Sequence, residues 1–159
     1  MSQVLSESKS YWDRQICKPF NDDDLKIKRE LSRDIFDLFR ELEEMIEHIR
    51  SLCDICAKSD SPEVIVRDLQ LLFEKGKINY SNLSNIPYYE NSFENRNWEL
   101  HNLAFPNCFS HLTLCLRELE VKVFEKLLSK EPGDMKLKSM LEKSRDEFDN
   151  LYGDIYYHD

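Results

Sequence analysis

The chain has 159 residues, 41% of them hydrophobic, and a formal net charge of −9. That length and apolar fraction suit one domain with a real core and exclude wholesale disorder. The acidic balance repels phosphate backbones, which makes non-specific nucleic-acid binding a poor default, and three glycines with five prolines supply too few tight turns for a β-sandwich or a dinucleotide-binding sheet.

Residues 1–20 carry a sparse apolar spacing, Tyr11, Trp12, Ile16 and Phe20, and Pro19 ends any helix there. They read as a flexible arm, with Trp12 as an anchor for a partner. Met1 to Ser10 lacks the apolar core of an export signal, and no apolar run approaches the roughly 18 residues of a membrane span. Five unpatterned cysteines then read as reduced thiols, which places the chain inside the cell, cytoplasmic or nuclear, and away from membranes.

A helical bundle domain is predicted over 21–152. Asn21, Asp22, Asp23 and Asp24 can each cap a helix start. Leu31, Ile35, Leu38, Leu42, Met45, Ile49, Leu52 and Cys56 then recur at alternating steps of four and three, an apolar heptad seam that only a helix can align. A second row, Phe39, Ile46 and Cys53, widens the stripe beyond a two-stranded coiled coil and points to the wall of a bundle. This helix should end near Lys58. Ser61-Pro62-Glu63 starts a second, with Ile65, Leu69, Leu72 and Phe73 as its buried stripe and Gly76 as its stop.

Residues 77–107 hold eight asparagines, which favour turns, among many aromatics. The stretch reads as a packed, irregular excursion. Its Tyr80, Tyr88, Tyr89, Phe93 and Trp98 are candidate partner-binding anchors, because aromatic side chains dominate interface energetics. Pro106 and Asn107 open a third main helix with the seam Phe109, Leu112, Leu116, Leu119, Val123 and Leu127, closed by Pro132-Gly133. Asp134 caps a last helix with the stripe Leu137, Met140, Leu141, Phe148 and Leu151, stopped by Gly153. An acidic, aromatic tail, 153–159, follows.

Two cysteine spacings, Cys53-x-x-Cys56 and Cys108-x-x-His111, have zinc-ligand types one helical turn apart. Cys53 and Cys56 lie on the apolar stripe, where free cysteine acts as a small hydrophobe, so neither a metal nor another cofactor is expected.

Arg96-Asn97-Trp98-Glu99-Leu100-His101 resembles the Arg-Asn-x-x-x-His motif of the HEPN ribonucleases, an all-helical family in which two protomers bring their motifs together. The resemblance covers six residues. It implies a metal-independent endoribonuclease working as a homodimer, with His101 near the ribose hydroxyl or leaving oxygen and Arg96 on the scissile phosphate. Imidazole can move a proton near neutral pH, and guanidinium matches phosphate with a rigid fork. Many members continue with His-Gly or His-x-Tyr, whereas Asn102 and Leu103 follow here.

The expectation is an all-α bundle of about four main helices with a long heptad-patterned first helix. Its first functional reading is a non-enzymatic intracellular interaction subunit or adaptor with protein partners. The alternative is the HEPN-like ribonuclease, the one reading under which RNA is a partner.

Overall fold

The computed structural model describes residues 25–58, 61–86 and 105–156. Among them are four helices and no strand: α1 (Leu25–Lys58), α2 (Glu63–Ser84), α3 (Phe105–Lys130) and α4 (Met135–Tyr156). The described residues form an all-α four-helix bundle in which α1 is the longest helix.

The heptad seam of α1 is its buried edge. Leu42, Met45, Ile49, Leu52 and Cys56 are buried, as is Ile46 from the second row, while Leu38 and Cys53 are packed at the margin of the core. Leu31, Ile35 and Phe39 lie outside the residues whose side chains are described. Outward positions such as Arg40, Glu47 and Arg50 form exposed pairs within the helix, Arg40 with Asp37 and Arg50 with Glu47. Exposed pairs of this kind stabilise little.

Side-chain contacts fix the direction of each helix. Asn79 of α2 meets Leu38 and Glu41 of α1, and Asp68 meets His48 further along, so α1 and α2 run antiparallel. Phe73 lies under Arg117 of α3 and Tyr80 against Phe109. Glu120 and Glu125 of α3 meet Ser144 and Arg145 of α4, while Arg117 meets Glu147. Each helix therefore reverses the one before it.

The helix at the centre is α3, which packs against α1, α2 and α4. Leu112, Leu114, Cys115 and Leu116 are all buried. At 100° per residue they cover most of the helix circumference, so α3 has no single seam in this stretch. Phe105, Cys108 and Phe124 extend its buried surface beyond the expected stripe. The helix begins at Phe105, one residue before Pro106, whose fixed φ suits a first turn.

Gly76 does not stop α2. The helix continues to Ser84, taking in Ile78, Asn79 and Tyr80, and ends in a tight turn where Asn85 N–H meets Ser81 O at 3.1 Å and Ile86 N–H meets Leu83 O at 3.2 Å. Gly76 lies within the helix with Leu112 packed over it: a Cβ there would sit 2.9 Å from Leu112 Cδ2. Residues 77–84 and 105–107 of the expected excursion thus belong to helices. Gly153 likewise continues α4 to Tyr156, and no described glycine has positive φ. Asp134 does cap α4, its Oδ1 accepting from Leu137 N–H at 3.1 Å. Of the α4 stripe, Leu141 is buried, Phe148 and Leu151 pack at the core margin, and Met140 is exposed.

Asn79 is the polar residue that registers α1 on α2. It is 1% exposed, and its Nδ2 donates to Leu38 O at 2.9 Å and to Glu41 Oε2 at 3.0 Å. Its Oδ1 is buried without a partner, a cost that offsets part of what the two donated bonds contribute. Replacing the amide by a carboxylate sets two anions against each other in a buried place. Asn79→Asp is expected to lose on the order of 3 kcal/mol at neutral pH by urea unfolding. The new acid has a folded-state pKa raised above its unfolded value, so the penalty shrinks as pH falls toward the carboxylate range. Asn79→Leu, which removes the unpartnered oxygen as well, is expected to stay within about 1 kcal/mol of the parent; equal losses for both variants would contradict this account.

Candidate functional site

Three surfaces of the described bundle could carry chemistry or binding. The first is a cleft of about 230 Å³ between α2, α3 and α4. Its floor is apolar, Val66, Leu69 and Phe124, and its wall is a charged cluster. Arg117 pairs with Glu120 at 2.9 Å and Glu147 at 3.1 Å, and its guanidinium lies 4.4 Å from the Phe73 ring centroid. Ser144 Oγ donates to Glu120 Oε1 at 2.7 Å. This geometry ties α3 to α2 through Phe73 and to α4 through Ser144 and Glu147. Two carboxylates pair with the guanidinium, and the serine hydroxyl is spent on one of them.

The second is a cleft of about 370 Å³ between α1 and α3, lined by Cys53, Cys56, Ala57, Lys122, Glu125, Lys126 and Ser129. Lys126 Nζ donates to Cys56 O and ties the end of α1 to α3. The cysteines here are core thiols. Burial pushes Cys53 up, with Lys122 acting against it, and pushes Cys56 up, with Lys126 and Lys122 acting against it. Cys108, deep in α3, is pushed well above the usual thiol range by burial alone. A protonated thiol is a poor nucleophile and a poor metal ligand. The four described cysteines are free, and no group of three or more metal-ligating side chains gathers among the described residues.

The third surface is the outer face of α2. Val64, Leu71 and Ile78 are 62%, 53% and 60% exposed. They recur every seven residues, so they lie in one line about 21 Å long at 1.5 Å per residue. Each is followed directly by a buried residue, Ile65, Leu72 or Asn79. The helix thus has an inner apolar face against α1 and α3 and an outer apolar line with no described neighbour packed on it. Scattered exposed apolar residues need no explanation, but an aligned row resembles half of a helix–helix seam.

Of the residues singled out in the sequence, Tyr80 is described. It sits on α2, half-buried, with its ring 4.8 Å from that of Phe109, so much of its aromatic surface is spent inside the bundle. Trp12, Tyr88, Tyr89, Phe93, Arg96, Trp98 and His101 lie outside the described residues. The row on α2 was missed although its heptad spacing is visible in the sequence. Ending the helix at Gly76 removes Ile78 and leaves two residues, which make no line.

No described helix is long and apolar enough to cross a membrane. No family model, curated protein or solved structure matches the chain.

The thiol environment has a consequence for pH. A thiol whose folded pKa exceeds its unfolded one contributes stability that is full below the ordinary value of 9.0 and is lost as pH rises past it. The melting temperature is therefore expected to fall between about pH 8 and about pH 10, more steeply in the parent than in Cys108→Ala. Equal slopes in the two proteins would show that Cys108 is not held protonated by the fold.

Proposed function

We propose that the chain is a non-enzymatic, intracellular helical interaction subunit, and that the outer face of α2 is its docking surface. The observation that carries this reading is the row Val64, Leu71 and Ile78, held in solvent on a helix whose opposite face is fully engaged in the core. An amphipathic helix offers a second helix anchors at this spacing. The two clefts support the same reading by their chemistry: one holds an arginine paired with two carboxylates and the other holds protonated thiols.

The test replaces the row with residues of good helix propensity and no apolar surface, Val64→Gln, Leu71→Gln and Ile78→Gln together. Helical content and melting temperature are expected to stay near those of the parent, while proteins recovered by affinity purification and identified by mass spectrometry are lost. Retention of those proteins together with an unchanged oligomeric state would overturn the assignment of the surface. The ribonuclease alternative has its own assay, RNA cleavage in EDTA by the parent and by His101→Ala. Metal-independent cleavage that disappears in the variant, where proton transfer worth roughly 10²–10⁴ in rate is removed, would displace the interaction reading.

A further inference from the structure

The charges flanking the row on α2 are arranged for a particular partner. At 100° per residue, Arg67 and Glu74 lie within about 60° of Leu71 on one side of the row, and Asp68 and Lys75 within about 60° on the other. Glu63 and Lys77 lie further out on the side of Arg67. Glu63, Arg67, Glu74, Lys75 and Lys77 are exposed and Asp68 is half-exposed. Each flank therefore carries both signs, at fixed distances before and after Leu71.

We infer that the outer face of α2 pairs with the same face of a second copy of this chain, antiparallel, about a two-fold axis through Leu71. The inference rests on the reading of this face as an interaction surface and names its occupant. An isologous contact brings each residue opposite its mirror position along the helix. Val64 lies seven residues before Leu71 and Ile78 seven after, so Val64 meets the partner's Ile78 on both sides of a central Leu71 pair. Arg67 lies four before and Glu74 three after, so they come level to within one residue, about 1.5 Å. Asp68 and Lys75, three before and four after, do the same on the other flank. Glu63 and Lys77 come level to within two residues. In antiparallel pairing like flanks face each other, so all three combinations join opposite charges, each of them twice.

A parallel arrangement sets each flank against the opposite one. It would still set Arg67 level with the partner's Asp68 and Glu74 level with the partner's Lys75, but it would put Lys77 beside the partner's Lys75 and leave Glu63 without a basic residue at its level, so the outer charges decide for the antiparallel arrangement. The helix dipoles also favour the antiparallel arrangement. Within one chain Glu74 meets Lys77 at 3.4 Å and Asp68 meets His48 at 3.9 Å. Both contacts are solvent-exposed and easily exchanged for contacts across the axis.

The experiment is sedimentation equilibrium of the full chain across micromolar to submillimolar concentrations, with far-UV circular dichroism to show that each variant stays helical. The parent is expected to dimerise. Leu71→Glu places two carboxylates on the axis and is expected to weaken association by at least about 30-fold, the effect of losing a central anchor. Arg67→Glu and Glu74→Arg should each weaken it, and the double exchange R67E/E74R should restore it to within about threefold, because the pairing survives with its signs reversed. A chain monomeric throughout, a dimer indifferent to Leu71→Glu, or a double exchange no better than either single would overturn the inference. If the chain is monomeric yet the glutamine variant still loses its captured proteins, self-pairing falls and the interaction reading stands.

Discussion

The closeness of α2 to α3 at Gly76 governs the bundle. A Cβ at that position would come within 2.9 Å of the end of the Leu112 side chain, which fills the space left by the missing side chain. Three residues before, Phe73 reaches the Arg117 guanidinium; four residues after, Tyr80 reaches the Phe109 ring. A small residue between two aromatic contacts gives the pair a register that a uniform row of leucines would not. With α2 set on α3, Arg117 is oriented to gather Glu120 and Glu147 and so to tie α4 to α3. The same placement turns Asn79 toward Leu38 and Glu41, which registers α1.

Much of this was legible from periodicity. The buried edge of α1, the end of that helix at Lys58, the start of the second after Ser61-Pro62 and the Asp134 cap all follow from local rules that tertiary contacts did not override. What was not legible came from residues whose role depends on a neighbour distant in the chain. Gly76 reads locally as a stop, and only Leu112, 36 residues later in the sequence, makes it a packing residue. Gly153 reads the same way and is helical too, in open surroundings. Asn79 reads as a turn former, and only the carbonyl of Leu38 and the carboxylate of Glu41 make it a buried register residue. Met140 fits the apolar period of α4 but falls on the rim of the cleft beside Lys143, where the core no longer covers it.

The outer row of α2 depends on the same continuation of the helix past Gly76. A helix ending at Gly76 is about four turns long and has one apolar face. A helix reaching Ser84 has two, and the second one points away from the bundle. Among the described residues nothing packs on Val64, Leu71 or Ile78, and the proposed second helix laid along them would give their apolar character a use. Charge tells the same story: the mixed signs on each flank read as a solvated surface until they are arranged around Leu71.

On the proposed reading α2 has two apolar faces with different purposes, the inner for folding and the outer for association. Leu71 and Leu72 are adjacent and chemically identical, 53% and 1% exposed. Urea unfolding of Leu71→Ala and Leu72→Ala at low protein concentration, where association is negligible, separates the purposes directly. Leu72→Ala is expected to lose about 2–5 kcal/mol, and Leu71→Ala to stay within about 0.5 kcal/mol of the parent. Similar losses at the two positions would mean that both faces serve the fold, and the central claim would fail.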